Sequence, residues 1–147
     1  GNMKIFVING PNLNLLGERE PEIYGTQTLS EIEHIISTHA EKLNNVQVEF
    51  YQSNHEGEII DALHSHRDCD GVIINAGALT HSSTAISDAL QSIDLPAIEV
   101  HLSNTNARSE EWRHHSYLSP VCWGVIMGFG HLSYTSALDL LYERLSR

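Results

Sequence analysis

Two periods of apolar residues alternate along this chain. Ile5 to Ile8 form a short apolar run, which predicts a buried strand over 4–8. Thr28-Leu29-Ser30-Glu31 has the spacing of a capping box and opens a helix. In it Leu29, Ile32, Ile35, Ile36, Ala40 and Leu43 recur at helical spacing. Val46, Val48 and Phe50 alternate as a second strand, and Ile59, Ile60 and Leu63 mark a short second helix. A third strand is predicted over 71–74. Ser82 or Ser83 then caps a third helix carrying Ala85, Ile86, Ala89 and Leu90. A fourth strand over 97–100 is followed by a polar segment with at most one helical turn. The fifth strand is predicted over 121–127, and Tyr134, Ala137, Leu138, Leu141 and Leu145 make the last helix.

Five strands alternating with helices imply a parallel sheet covered on both faces, joined by right-handed crossovers. The economical arrangement is an α/β, flavodoxin-like three-layer sandwich with a five-stranded parallel sheet in the order 2-1-3-4-5. At 147 residues the chain makes one domain, read as 3–147. Gly1-Asn2 ahead of Met3 reads as the leftover of an expression tag. No apolar run is long enough to span a bilayer, and no basic-then-apolar leader is visible. Cys69 and Cys122 form no CxxC pattern and read as buried thiols, which points to the cytoplasm. The formal net charge of -11 argues against a nucleic-acid partner. It also makes the few arginines informative, because an acidic protein that binds an anion must place its cations locally.

The polar residues that carry chemistry follow the strands. A long loop after the first strand, Asn9-Gly10-Pro11-Asn12-Leu13-Asn14-Leu15-Leu16-Gly17-Glu18-Arg19-Glu20-Pro21-Glu22-Ile23-Tyr24-Gly25, is punctuated by Gly and Pro. Leu13, Leu15 and Leu16 are expected to anchor one half, while the polar half from Glu18 reads as a lid carrying Arg19 and Tyr24. Ser53, Asn54 and His55 follow strand two, Asn75 and His81 follow strand three, and His101 and Ser103 end or follow strand four. All these blocks lie at the carboxyl ends of parallel strands, the edge where such sheets bind ligands.

That crevice offers Tyr24 and His101 as proton carriers, Arg19 and Arg113 as cations, and Asn12, Asn75, His81 and Ser103 as hydrogen-bonding groups. It has no acid pair, glycine-rich phosphate loop or Gly-x-Ser-x-Gly elbow. The inventory suits an acid/base lyase or isomerase. A free phenol titrates near about 10, so a tyrosine base at neutrality needs roughly 4 kcal/mol of phenolate stabilisation. A close arginine is the natural source, and Arg19 is the candidate. Histidine needs less tuning to act as the acid. His64 with His66, and His114 with His115, invite a metal reading, but neither pair has a third ligand nearby in sequence, so no metal is assigned. Trp112 and Trp123 read as packing residues. A phosphoacceptor receiver would need clustered acids after strand one, and a flavin carrier a Ser/Thr-rich loop there; neither is present.

The loop from Asn9 to Gly25 closely resembles the N-terminal signature of type II 3-dehydroquinate dehydratases. Ser53-Asn54-His55-Glu56-Gly57-Glu58, Asn75-Ala76-Gly77-Ala78-Leu79-Thr80-His81, Glu99-Val100-His101-Leu102-Ser103-Asn104 and His114-His115-Ser116-Tyr117 resemble that family's later blocks in the same order. The resemblance covers nearly the whole chain. It implies anti elimination of water from 3-dehydroquinate to 3-dehydroshikimate through an enolate, without a cofactor. Tyr24 would remove the C2 proton, with Arg19 holding it ionised, and Asn12 would orient a water on the enolate oxygen. His101, steered by Glu99 or Asn75, would protonate the departing hydroxyl. Asn75, His81 and Arg113 would grip the ring hydroxyls, and the amides of Leu102 and Ser103 the carboxylate. Asp88, on the third predicted helix, would approach a neighbouring subunit's site, since the family assembles trimers into a homododecamer.

The segment Arg108-Ser109-Glu110-Glu111-Trp112-Arg113 is one residue longer than the family pattern, so Arg108 competes with Arg113 for the substrate role. The unrelated Schiff-base dehydroquinases need a lysine in the site. The only lysines, Lys4 and Lys42, are expected far from it.

Overall fold

In the computed structural model, which describes residues 2–147, five parallel strands form one sheet in the order β2-β1-β3-β4-β5. Gly1, part of the tag reading, lies outside the described residues. The strands are β1 (Met3–Asn9), β2 (Val46–Gln52), β3 (Gly71–Asn75), β4 (Ala97–His101) and β5 (Gly124–Met127). The helices are α1 (Pro21–Tyr24), α2 (Leu29–Glu41), α3 (Glu56–Ser65), α4 (Thr84–Ile93) and α5 (Leu132–Leu145). The sandwich is the flavodoxin-like one that the pattern predicts. The short α1 is an addition, a single turn inside the long first loop, started by Pro21 at its first position.

Side-chain alternation along β1 divides the core into two layers. Ile5 and Val7 face α2 and α5, packing with Ile32, Ile36, Tyr134 and Leu138. Phe6 and Ile8 face α3 and α4, packing with Ile59, Leu63, Ile86 and Leu90. Every residue of β3 and β4 is buried, as continuous apolar runs in the middle of a parallel sheet require. β2 lies at an edge, and its Val46, Val48 and Phe50 alternate with more polar neighbours.

The helix starts follow their caps. The Thr28 hydroxyl accepts from the Glu31 amide at 3.1 Å and donates to the Glu31 carboxylate at 3.2 Å. Ser83, not Ser82, caps α4, accepting from the Ile86 amide at 2.9 Å. The fifth strand is shorter than expected. Ser119–Val121 form a tight helical turn with Pro120 near its start, and the chain joins the sheet only at Trp123, whose N–H donates to Ala97 O at 2.7 Å. The polar segment after β4 contains two further tight turns, Thr105–Ala107 and Glu111–His114, where one at most was expected. Leu13 and Leu16 are buried as expected, but Leu15 is exposed. Trp112 and Trp123 are likewise about half exposed rather than packed inside. Cys69 is buried, Cys122 is half-buried, and both are free thiols. Among the described residues no helix is long and apolar enough to cross a membrane.

Two loops meet closely at the carboxyl edge. Gly77 has φ +58, and a Cβ there would lie 2.8 Å from the Pro11 carbonyl oxygen; a Cβ on Gly10 would collide with the Ala76 carbonyl. These glycines let the loops after β1 and β3 touch. Gly77→Ala is expected to destabilise the fold by about 1–2 kcal/mol from the left-handed backbone alone, before the clash is counted. Denaturant unfolding checks this; wild-type stability would contradict the close approach.

Candidate active site

The register aligns the strand ends that carry the site. Asn9 of β1 pairs with Asn75 of β3, and Ile74 pairs with Glu99 of β4. Beyond these ends opens a cleft. Asn12, Arg19 and Tyr24 reach it from the first loop, Asn75 and His81 from β3 and the turn after it, and His101, Leu102 and Ser103 from β4. Arg113 also lines it, and so does Arg108. Three arginines therefore surround the cleft, while no carboxylate lines it among the described residues. In a chain of net charge -11 this is a local cationic field suited to an anionic ligand.

Tyr24 sits between two cations. The Arg19 guanidinium carbon lies 5.1 Å from the ring centroid, and that of Arg108 lies 5.5 Å away. Arg108 Nη1 also donates to the phenol oxygen at 3.0 Å. So Arg108, not Arg19, makes the hydrogen bond to the oxygen, and Arg19 acts through the ring face. Burial lowers the Arg108 pKa, but the Tyr24 oxygen and the nearby Glu110 and Glu20 carboxylates outweigh it and raise the pKa above the ordinary value. Arg113 makes different contacts: its Nε donates to Glu110 at 3.0 Å and its guanidinium lies 4.2 Å over Trp112.

Glu99 and His101 are two residues apart on one strand, so their side chains share a face. His101 Nε2 lies 2.5 Å from Glu99 Oε2, and Glu99 Oε1 accepts from Ser116 at 2.8 Å and Ser119 at 2.7 Å. Of the two steering residues expected for His101, Glu99 makes the contact. Burial pushes the Glu99 carboxyl up, but His101, Ser119 and Ser116 together outweigh it and hold it below its usual value. A group depressed in this way contributes stability above its unfolded-state pKa, near 4.5, and loses it as pH falls through the lower native value. The stability advantage of wild type over Glu99→Gln is thus expected to be level above about pH 5 and to shrink below it. Chemical denaturation across pH measures this; an advantage independent of pH would contradict an ionised Glu99.

Asn75 is committed to a buried chain. Its Nδ2 donates to Tyr134 Oη at 2.9 Å, its Oδ1 accepts from the Gly77 amide at 3.2 Å, and Tyr134 Oη donates to Asn9 Oδ1 at 2.5 Å. It borders the cleft but makes no bond to His101. His81 Nδ1 lies 2.7 Å from the His115 carbonyl oxygen, which only accepts, so Nδ1 carries the proton and neutral His81 offers Nε2 as an acceptor. Burial lowers the His81 pKa, and His101 and Arg113 lower it further against that backbone bond, favouring the neutral ring.

Other expected site residues stand elsewhere. Ser53, Asn54 and His55 do not line the cleft. Asn54 acts one step back, its Oδ1 accepting from the Asn12 amide at 2.9 Å and fixing the positive-φ turn there. Ser53 lies just ahead of α3, accepting from the His55 amide and donating to Glu58. Asp88 is exposed on α4 and does not border this chain's own cleft. The paired histidines are spent locally: His66 stacks on Phe6 at 3.7 Å, and His114 Nε2 bonds the Arg108 carbonyl at 2.6 Å. No group of three or more His, Cys, Asp or Glu is placed to hold a metal among the described residues. Neither lysine lines the cleft.

Comparison with known proteins gives a consistent family. Residues 3–142 match the model for dehydroquinase class II. The chain is 53% identical over 145 residues to the 3-dehydroquinate dehydratase of Dinoroseobacter shibae, covering 98% of this chain and 95% of that protein. It is 52% identical over 136 residues to the catabolic 3-dehydroquinase of Aspergillus oryzae, covering 92% of this chain and 88% of that protein. The type II dehydroquinase structure from Butyrivibrio crossotus superposes with a TM-score of 0.92 at 50% identity, covering 95% of this chain and 97% of that one. With this match over nearly its whole length, the chain belongs to the class II dehydroquinase family.

Proposed function

We propose that Tyr24 and His101 are the base and the acid with which this chain carries out its family's reaction, dehydration of 3-dehydroquinate to 3-dehydroshikimate. The observation that carries the assignment is Tyr24 at the cleft with its oxygen bonded by Arg108 and its ring flanked by Arg19. An adjacent cation favours a phenolate, and a phenolate can take the C2 proton. The departing C1 hydroxyl needs a proton, and His101 with Glu99 behind it supplies one. Between these steps the negative charge rests on the enolate oxygen, where Asn12 orients a water. Arg113, the amides of Leu102 and Ser103, His81 through Nε2, and Asn75 hold the substrate's carboxylate and hydroxyls. This chemistry requires no cofactor.

The same reading extends to the assembly. Asp88 is exposed and stands away from its own cleft, so we assign it to a neighbouring subunit's site in a homododecamer built as a tetramer of trimers. Exposed Phe129, Leu132 and Leu140 offer apolar surface for subunit contacts. The two free thiols support a cytoplasmic location.

Ultraviolet absorbance of the conjugated enone tests the chemistry directly. On adding 3-dehydroquinate, absorbance is expected to rise equally with and without prior borohydride treatment in the presence of substrate. Loss of activity on borohydride treatment would reveal a Schiff base and overturn the acid/base reading.

A further inference from the structure

Behind Glu99 lies a second set of groups whose hydrogen bonds have a single consistent direction. Ser116 Oγ accepts two backbone N–H groups, from Leu118 at 3.0 Å and Ser119 at 3.1 Å. Both acceptor positions of that hydroxyl are then filled, so its one proton goes to Glu99 Oε1, 2.8 Å away. Ser119 Oγ donates to the same oxygen at 2.7 Å, from the tight turn Ser119–Val121. Two donors thus meet Oε1, His101 Nε2 lies against Oε2, and Glu99 is only 1% exposed. Two hydroxyl donors favour the carboxylate as the anion, and an anionic carboxylate only accepts, so the proton on the shared bond belongs to His101 Nε2.

We infer that Ser116 and Ser119 are positioning residues that lock Glu99 in one orientation and thereby fix neutral His101 as the Nε2–H tautomer, so that the proton the ring takes from solvent and gives to the departing hydroxyl is the one on Nδ1 of the imidazolium. The inference rests on the reading of His101 as the acid for its catalytic consequence, but the tautomer lock itself does not. The serines touch no reacting atom. They sit on the segment between the Glu111–His114 turn and β5, so that segment, with its close backbone turn, tunes a residue of β4. Other titratable or charged groups face this pair. His81 comes from the turn after β3, its ring centroid 6.2 Å from that of His101, and Arg113 acts on His81. Cys122, ahead of β5, has its thiol pushed up to about 12 by burial and by Glu99.

The test uses histidine labelled with nitrogen-15, in which imidazole nitrogen–proton correlations report each ring's tautomer. Spectra and steady-state kinetics are taken on wild type, Ser119→Ala, Ser119→Thr and the Ser116→Ala/Ser119→Ala double variant, with His101→Gln identifying the resonance. Ser119→Ala is the decisive single change, because among the described residues the Ser119 hydroxyl bonds only Glu99, whereas Ser116 also holds its own turn. Wild-type His101 is expected to be Nε2–H alone when neutral. Ser119→Ala is expected to lower kcat about tenfold with KM within about twofold, and to change the pH profile of kcat. Ser119→Thr restores both, and the double variant shows a mixture of tautomers. An Nδ1–H ring in wild type, or Ser119→Ala with wild-type kcat and pH profile together with an unmixed tautomer in the double variant, overturns the inference. If the double variant does not fold, the Ser119→Ala profile and its rescue decide alone. A mixed tautomer with undiminished kcat supports the lock and instead overturns His101 as the acid.

Discussion

Tyr24→Phe is expected to lower kcat by at least about 10³-fold while leaving substrate binding close to wild type. General base catalysis by a positioned side chain contributes roughly 10²–10⁴-fold, and the phenol oxygen is the only atom this substitution removes. The ring stays, so the contacts of Arg19 with its face are retained. Arg108 loses its bond to the oxygen but keeps its approach to Glu20 at 4.0 Å. Binding therefore reports a nearly intact cleft, and turnover reports the missing base. Calorimetric titration with substrate beside the enone assay separates the two. A variant that binds and turns over normally would remove Tyr24 from the mechanism, and the remaining groups of the cleft offer no other base on the first loop.

The second large effect distinguishes the two arginines. Arg108→Ala is expected to lower kcat about 100-fold, because a charge-assisted hydrogen bond to the phenol oxygen is lost, worth up to about 3 kcal/mol. Arg19→Ala is expected to cost about tenfold, the scale of a partly desolvated cation–π contact. In both, the acid limb of kcat is expected to move to higher pH, further for Arg108→Ala, because each removes a cation that favours the phenolate. Steady-state kinetics across pH settle the ranking. A larger loss on Arg19→Ala would mean that the first loop rearranges on binding and that Arg19 takes over the oxygen.

Arg108 shows what the linear pattern conceals. It is 84 residues from Tyr24 and lies in a polar segment with no apolar period, where tight turns set direction. The sequence singles out Arg108 only as a rival to Arg113; its contact with the phenol depends on how the turns Thr105–Ala107 and Glu111–His114 fold back over the cleft. Asn54 is similar. Its motif marks it as notable, but its task is to hold the Asn12 amide from a neighbouring loop, a contact no local spacing encodes. By contrast, the core strands were legible because central parallel strands are buried on both faces and read as apolar runs. The start of α2 was legible because its cap is local chemistry. The late start of the fifth strand was missed because Val121 and Cys122 look strand-like, while Pro120 favours a turn. Glu99 and His101 could have been paired from spacing alone, since residues two apart on a strand share a face. Trp112 and Trp123 were misread because size and apolarity say nothing about which surface a side chain covers; Trp123 lies half exposed beside Arg144.

The central claim is that one residue takes the C2 proton and another protonates the leaving group. Nuclear magnetic resonance of 3-dehydroquinate in heavy water, with Tyr24→Phe and His101→Gln side by side, tests it most directly. His101→Gln is expected to exchange the C2 hydrogen for deuterium while forming almost no product, because the base still makes the enolate. Tyr24→Phe is expected to do neither. Enzymatic exchange that persists in Tyr24→Phe, or that vanishes in a folded His101→Gln, would contradict the division of labour.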